Sequence, residues 1–450
     1  MAKVLRIEPK KFLKKHSGFL GKILLVIFIL FVGLVLGYLA TNYLKSRAKG
    51  QTSIAPLSKD KHVAFLGEVY LKIQENYWDK ITDEQLSNIF VLGVEKILTQ
   101  PQANPPKDRA SLQKMLEKII KEMESEEKKK EFTVKLADIV LANLQPFGRS
   151  RLYSRREETQ LKNTVENRNP DVDQYQVLEV TKDASQEEIK KTYEQKTQDL
   201  KKEDSPEAEQ ELAQLDKAYQ VLADKDARKV YDESGVEPTM EYRLVRPNVF
   251  YIHMNKFSPT TVEELLRVSQ KVDNKPESLN SLILDLRDNV GGAIDGLPYF
   301  LGPFIGNDQY AYQFFHQGEK EDFKTKIGWL PSLVRYKKVV VLVNENTQSS
   351  AEVMAAVLKK YNVGVLVGTT TKGWGTVERV FNIEQQIDPA EKYSIFLVHR
   401  LTLRDDGQPI EGKGVDPFIN INDPDWEKQL YAYFDSGPLV AAVKEVLASN

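Results

Sequence analysis

The stretch that decides the fold is Val339–Glu378, which reads VVVLVNENTQSSAEVMAAVLKKYNVGVLVGTTTKGWGTVE. Its opening apolar run predicts a buried strand, and a helix is expected to begin near Ala351. A second apolar run, Val363–Val367, predicts another strand, and a third is expected from Thr376. A hydroxyl at a strand-to-helix turn is exposed, and the helix N-terminus offers unpaired N–H groups and a partial positive charge. Ser349, which lies in this turn, is therefore a candidate nucleophile.

Length and composition narrow the possible functions. A chain of 450 residues is too long for one ordinary domain, so two or three are expected. The net charge of -2 gives no electrostatic drive toward nucleic acid, and no nucleic-acid partner is predicted. The chain has no cysteine, which excludes disulfides, thiol catalysis and thiolate metal sites. Five scattered histidines lack metal-ligand spacing, so neither a metal nor another cofactor is predicted.

Residues 23–44 are predicted to cross a membrane once. Ile23–Ala40 is apolar and uncharged, and the segment is long enough to span the bilayer core. Seven lysines and arginines precede this run and only three follow it closely, so the tail at 1–22 is expected to be cytoplasmic. The expected localisation is therefore the cell membrane, with the main body extracytoplasmic. The alternative, a cleaved signal peptide, fits less well because the run is long and no clear A-x-A cleavage site follows it.

The next part of the chain, residues 63–160, is predicted to be a helical N-terminal region. Helical periodicity runs through Val63–Gln100 and again through Leu112–Leu144. Gln145–Asn169 is polar and rich in arginine, and we expect a loop with a short helix there. Residues 171–236 are predicted to form a compact helical unit.

From Pro238 the pattern changes to alternating strands and helices, and residues 240–450 are assigned to one α/β domain with a mostly parallel sheet. One strand, Ser281–Leu286, runs into the glycine pair Gly291–Gly292 before a helix. Such a pair lets the backbone approach a ligand closely and direct N–H groups at an oxyanion.

The helical unit at 171–236 resembles a DnaJ-type J domain. The resemblance rests on the words YQVLEV, ASQEEIKKTY and LDKAYQVLADKDARKVYDESG, in that order. The family's His-Pro-Asp tripeptide engages a chaperone ATPase, but its positions here hold Lys201, Lys202 and Glu203. A scaffold or peptide-docking role with an unknown protein partner is therefore expected rather than chaperone recruitment.

The flanking regions resemble the C-terminal-processing (tail-specific) serine peptidases. The words that carry the resemblance are FLGEVYLKIQENYWD, DLRDNVGG, VVVLVNENTQSSAEVMAAVL, VGTTTKGWGTVE and LTLRDDGQPIEGKGVDP. This resemblance implies a crotonase-like, ClpP-like core that cuts exported polypeptides with a Ser–Lys dyad. The J-like unit stands where the family usually carries a PDZ domain.

When the family's catalytic residues are placed on this sequence, one position does not match the family. The resemblance makes Ser349 the nucleophile, with oxyanion donors at Gly291 or Gly292 and at Ser350. The base should be a lysine 25 residues after the serine, and that residue is Trp374. Tryptophan cannot accept a proton because its indole N–H only donates.

Three replacements for the missing base stay open. Lys372 shares a face with position 374 in an extended segment and is a possible displaced base. Glu378, at the position where the family often has glutamine, could accept the proton if desolvated. A histidine could also serve, and the candidates are His253, His316 and His399.

Two hypotheses about function follow. The first is a membrane-anchored, extracytoplasmic serine-type peptidase, impaired at its base. The second is an inactive pseudopeptidase that binds polypeptides with loose C-termini and uses the J-like unit as an adaptor. Trp374 favours the second.

Overall fold

The computed structural model describes residues 58–203, 205–272 and 279–448. The predicted tail at 1–22 and the predicted membrane-spanning segment at 23–44 lie outside these ranges. Of the helices inside these ranges, none has the length and apolarity needed to cross a membrane.

The described part of the chain begins with helices and continues, from Met240 onward, with alternating strands and helices. The helices are α1 Lys61–Asn76, α2 Asp83–Leu98, α3 Arg109–Lys121, α4 Glu126–Ala142, α5 Arg155–Val165, α6 Gln174–Leu178, α7 Gln186–Leu200, α8 Pro206–Ala223, α9 Lys225–Ser234, α10 Thr261–Gln270, α11 Leu297–Ile305, α12 Pro331–Val334, α13 Ser350–Lys360, α14 Trp426–Phe434 and α15 Gly437–Ala448. The strands are β1 Arg151–Ser154, β2 Met240–Arg246, β3 Val249–Met254, β4 Ser281–Asp285, β5 Tyr310–His316, β6 Glu319–Lys324, β7 Lys338–Val343, β8 Val365–Gly368, β9 Thr376–Asn382, β10 Tyr393–Leu403 and β11 Ile419–Asn420.

A mostly parallel sheet forms the centre of the α/β domain, as predicted. Its strand order is β11-β8-β7-β4-β3-β2, and only the β2–β3 pair is antiparallel. Apolar side chains cover both faces: one packs with α10, α11 and α13, and the other with α14 and α15. Parallel strands buried on both faces read as continuous apolar runs, and this explains why β4 and β7 are recognisable in the sequence.

A second, antiparallel sheet was not predicted. It joins β10 to β1, β5 and β9, and β5 to β6. The sequence Glu319–Lys324 of β6 is highly charged and mostly exposed, so it has no apolar alternation that marks a strand. The expectation of a loop with a short helix over Gln145–Asn169 is incomplete, because β1 lies there and leads directly into α5.

The helical N-terminal region is confirmed and packs on the antiparallel sheet. Its core includes Phe65 and Leu136 and joins Ile395 of β10. The stretch predicted as one helical segment, Leu112–Leu144, is two helices. Ser125 begins the second, since its side chain accepts the N–H of Lys128 at 3.2 Å.

The J-like unit consists of α6–α9 around a small core of its own. Tyr193 of α7 stacks on Tyr219 of α8, with ring centroids 4.1 Å apart. Lys201, Lys202 and Glu203, at the positions of the tripeptide, follow the end of α7 and are exposed.

Asp224 fastens the J-like unit to the α/β domain, and Glu237 fastens the same unit to the short segment that connects the two. Asp224, which caps α9, accepts hydrogen bonds from Tyr242 Oη at 2.9 Å and Lys271 Nζ at 2.8 Å. Glu237 accepts from Gln174 Nε2 and from Lys217 Nζ, each at 2.6 Å. The unit is therefore held to the domain by specific contacts.

Replacing Asp224 with asparagine is expected to lower the free energy of unfolding at pH 7 by about 2 kcal/mol. Burial opposes ionisation of Asp224, but hydrogen bonds from Lys271, the Ala227 N–H and Tyr242 outweigh it and lower its pKa from 3.8 to about 2. A lowered carboxylate pKa stabilises the fold above pH 3.8, and that stability is lost as the pH falls toward 2. Asparagine keeps the helix cap, so the change isolates the charge.

Urea unfolding at pH 7 and at about pH 2.5 measures this effect. The difference between wild type and Asp224→Asn should shrink at about pH 2.5, where Asp224 of the wild type is increasingly protonated. Asp226→Asn is the matched control, because Asp226 also contacts Lys271, at 3.3 Å, but is 55% exposed. An equal loss in both variants would contradict the special role of Asp224.

Candidate active site

The turn before Ser349 is tied to the end of β4. Thr347 Oγ1 donates to the Leu286 carbonyl at 2.8 Å and accepts the Asn344 N–H at 3.0 Å. The amides of Asn344 and Asn346 both donate to Asp288 Oδ1, at 3.0 and 2.8 Å. These bonds hold the turn in one place at the carboxyl edge of the parallel sheet, next to the glycine pair.

Ser349 adopts a strained backbone conformation at the start of α13, with φ 57° and ψ −125°. A non-glycine residue in this region costs about 1–3 kcal/mol and is frequent at functional sites. Gly291 packs against it so closely that a Cβ on Gly291 would lie 2.6 Å from Ser349 Cβ. Only glycine fits opposite the serine, which gives the predicted glycine pair a physical reason.

Two of the three predicted oxyanion donors are free to act. The Gly291 N–H already donates to Asn289 Oδ1 at 2.8 Å. In the part of the chain that the structure describes, the N–H groups of Gly292 and Ser350 bond no acceptor. Ser350 Oγ donates to the Gly292 carbonyl at 3.0 Å and so links the two segments. Gly292 and Ser350 therefore present unpaired N–H groups on either side of Ser349.

Glu352 joins the nucleophile turn to the loop that carries Trp374. Its buried carboxylate accepts the N–H groups of Ser349, Gly373 and Trp374 at 2.9, 2.7 and 2.7 Å. It also accepts the hydroxyl of Thr371 at 2.5 Å. Burial raises the pKa of Glu352, and these donors oppose the rise. Glu352 is therefore the link between both halves of the site.

Side chains from distant segments hold the Trp374 indole. The Arg149 guanidinium lies 3.4 Å from the ring centroid, and the indole N–H donates to Glu378 Oε1 at 3.4 Å. Arg149 also pairs with Glu411 at 3.0 Å. Sequence reasoning missed Arg149 and Glu411, which lie 225 and 37 positions away from Trp374. Glu411 stands in the word LTLRDDGQPIEGKGVDP, but nothing in that word indicates that it pairs with Arg149.

A cavity of about 590 Å³ opens at Ser349 and separates the candidate bases into two groups. Trp374, Glu378 and His399 line it with Ser349, whereas Lys372 does not. Lys372 is exposed, and its ammonium lies 5.6 Å from the Trp374 ring centroid.

The remaining histidines are bonded elsewhere. His253 Nε2 is 3.3 Å from the Arg287 carbonyl, and His316 Nδ1 is 2.7 Å from the His399 carbonyl. Neither lines the cavity. Across the described ranges, no lysine, histidine or glutamate side chain is hydrogen-bonded to Ser349 Oγ, and no group of three or more metal-ligating side chains could hold a metal ion.

His399 and Glu378 are the titratable groups of this cavity with altered pKa values. His399 is the extra residue of a β-bulge in β10, and its Nδ1 lies 2.7 Å from the Asn76 carbonyl. A carbonyl only accepts, so Nδ1 carries the proton and Nε2 keeps its lone pair in the neutral ring. Burial lowers the pKa of His399 to about 4, and burial raises the pKa of Glu378. Both groups are therefore shifted toward their neutral forms.

Comparison with known proteins identifies two domains. The model of peptidase family S41 matches residues 248–421, and the DnaJ domain model matches residues 173–232. Carboxy-terminal processing protease CtpA of Bacillus subtilis is 32% identical over 185 residues, which cover 41% of this chain and 37% of that protein. A probable CtpA-like serine protease of Staphylococcus epidermidis is 29% identical over 204 residues, covering 45% of this chain and 39% of the relative.

A solved structure, the photosystem II D1 C-terminal processing protease, gives a TM-score of 0.47 at 14% identity, covering 82% of this chain and 94% of that one. The chain thus spans less than two fifths of the length of the two curated relatives. The chain therefore carries a peptidase family S41 domain at residues 248–421, preceded by a DnaJ domain at residues 173–232.

Proposed function

We propose that this protein binds extended polypeptide segments in the Ser349 cavity and does not cleave them at the rate of a Ser–Lys peptidase. The observation that carries the proposal is the indole of Trp374, held by Arg149 and Glu378 at the position of the family's lysine. A serine hydroxyl is a weak nucleophile until a neighbouring base takes its proton. Polypeptides are the substrates of the peptidase family, and this supports the class of ligand.

The second candidate function is slow proteolysis with another base. It is favoured by one observation: Glu378 and His399 line the same cavity as Ser349. His399 offers the Nε2 lone pair, and the backbone carbonyl of Asn76 orients its ring in the way that the third member of a catalytic triad does. Lys372 could act as the base only if its side chain turned from the surface into the cavity. Whichever residue is the base, the N–H groups of Gly292 and Ser350 would stabilise the oxyanion.

We also propose that residues 23–44 anchor the protein in the cell membrane, with the body extracytoplasmic, and that the J-like unit binds an unknown protein partner. The basic tail before the apolar run supports the anchor. The absence of His-Pro-Asp supports a partner other than a chaperone ATPase. Recovery of a soluble protein that is shortened at its N-terminus would contradict the anchor.

The binding proposal predicts that wild type and Ser349→Ala bind an unstructured, fluorescent peptide with the same Kd. Wild type should react with a fluorophosphonate probe at no more than about one hundredth of the rate of a serine that is paired with a general base. Fluorescence anisotropy and intact mass spectrometry measure the two quantities. Rapid turnover that disappears in Ser349→Ala would contradict the proposal. If turnover were also lost in the single variant His399→Gln or Lys372→Ala, the residue replaced in that variant would be the base. Failure to bind any peptide would also contradict it.

A further inference from the structure

Residues 324–338, which read KTKIGWLPSLVRYKK, concentrate positive charge next to apolar side chains, and we call them the Trp329 segment. No acidic residue occurs from position 323 to position 344. The whole chain has a net charge of -2, so this balance is a property of the segment and not of the protein. The basic residues of the segment are Lys324, Lys326, Arg335, Lys337 and Lys338.

Two apolar side chains of the Trp329 segment are held out on the surface. Trp329 is 67% exposed, and Val334 of α12 is 50% exposed. The indole atoms Cε2 and Cζ2 lie 3.0 and 3.2 Å from where a Cβ on Gly306 would be, so the ring rests on the bare backbone of that glycine. Leu333 is buried in the core of the α/β domain and fixes α12. Exposed apolar side chains with charged neighbours mark an interaction surface.

The lysines of the Trp329 segment keep most of their charge available to a partner. Lys326 and Lys337 are exposed, and within the described ranges their ammonium groups make no ion pair or hydrogen bond. Lys324 pairs with Asp308 at 3.1 Å, but both side chains are more than half exposed, and such surface pairs are weak. The segment therefore suits a negatively charged partner.

The Trp329 segment ends at the amino edge of the parallel sheet, and the Ser349 turn lies at the opposite edge. The N–H groups of Lys337 and Lys338 donate to the Asn280 carbonyl at 3.0 and 3.3 Å, just before β4 and β7 begin. Ser349 follows the far end of β7, whose residues rise about 20 Å in all. A partner of the segment would therefore leave the Ser349 cavity free.

We infer that the Trp329 segment binds the surface of an anionic lipid membrane, with Trp329 and Val334 among the headgroups and Lys326 and Lys337 against the lipid phosphates. Charge complementarity carries this choice, and tryptophan is enriched at membrane–water interfaces. A bilayer receives protruding apolar side chains without a complementary pocket, which favours it over an acidic protein. The inference goes beyond polypeptide binding, and it differs from the anchor proposed at residues 23–44, which would hold the chain to a neutral bilayer equally well.

A single dye at position 334 tests the inference, because the chain has no cysteine and an introduced one takes the label alone. The full chain with Val334→Cys carries an environment-sensitive nitrobenzoxadiazole dye and is reconstituted into lipid nanodiscs. One set of discs contains phosphatidylcholine only, and the other also contains phosphatidylglycerol. We expect dye emission at least about twofold higher on the anionic discs, and the excess should disappear at about 1 M salt, which screens the charges.

Three further proteins assign the response to the Trp329 segment. Val290→Cys is the matched label control, since Val290 is 49% exposed and lies beside the glycine pair at the carboxyl edge of the sheet, so its emission should not depend on the lipid. Adding Lys326→Gln and Lys337→Gln to labelled Val334→Cys should bring the emission ratio close to one, because two lysines strengthen binding about 25-fold. Lys182→Gln with Lys225→Gln removes equal charge from exposed positions of the J-like unit and should leave the ratio unchanged.

The outcomes separate this inference from the anchor. Equal emission at position 334 on both kinds of disc would overturn the inference. An equal rise at position 290, or an equal loss in the Lys182 and Lys225 variant, would reduce the effect to general adsorption and would also overturn it. A rise with soluble polyglutamate but not with anionic discs would assign the segment to an acidic protein instead. Failure of the chain to stay on neutral discs would contradict the anchor alone, because a rise on anionic discs would still support the inference.

Discussion

Replacing Trp374 with lysine is expected to raise the rates of fluorophosphonate labelling and of peptide cleavage at Ser349 by about 100-fold or more, the usual contribution of a general base. The rest of the site is already in place. Glu352 holds the backbone N–H groups of both Ser349 and residue 374, at 2.9 and 2.7 Å, so the new side chain would start close to the serine. The guanidinium of Arg149 lies over this position, and a like charge nearby lowers the pKa of an ammonium, which favours a base near neutral pH.

Two control variants make this prediction specific. Trp374→Met removes the indole but adds no base, so it should stay as slow as the wild type. The double variant Trp374→Lys with Ser349→Ala should lose all of the gained activity. Rates are measured by mass spectrometry of the labelled protein and by cleavage of an unstructured peptide. An equal gain in Trp374→Met, or no gain in a folded Trp374→Lys protein, would show that the missing lysine is not what limits Ser349.

Replacing Glu352 with alanine is expected to reduce the free energy of unfolding by about 4 kcal/mol, since each buried donor left without an acceptor costs about 1–3 kcal/mol. The buried carboxylate accepts four hydrogen bonds that join the nucleophile turn to the Trp374 loop. Without it, three backbone N–H groups and the Thr371 hydroxyl lose their partner. The strained conformation of Ser349 would also lose a bond that holds it.

Urea unfolding measures this loss, and Glu345→Ala is the matched control. Glu345 lies in the same turn, but it is exposed and accepts one hydrogen bond, from Thr369 Oγ1 at 2.7 Å. Its replacement should change the free energy of unfolding by about 0.5 kcal/mol or less, as is usual for surface sites. Similar values for the two variants would contradict the role assigned to Glu352.

The parts of the fold that could be predicted are those with a local signal. The strand over Val339–Val343 is buried on both faces, so it reads as an unbroken apolar run. The J-like unit has its own core and a helical period, which made its bounds clear. In contrast, β1 and β6 are polar segments, and they form strands because β10 and β5 offer them partners. Pairing between distant segments produces no repeating hydrophobic pattern in the sequence of either strand.

The sequence by itself determined the glycine pair before a helix, the serine at the strand-to-helix turn and the tryptophan in place of a lysine. Local backbone geometry dictates the first two, and the third is a matter of residue identity. Only the tertiary structure decided that Arg149 covers Trp374, that Lys372 lies outside the cavity, and that Arg379 and Arg400 share it with Ser349. These contacts form where the two sheets and the helical region meet. They join residues that are far apart in the sequence, so the packing of the whole fold sets them and no single stretch of sequence does.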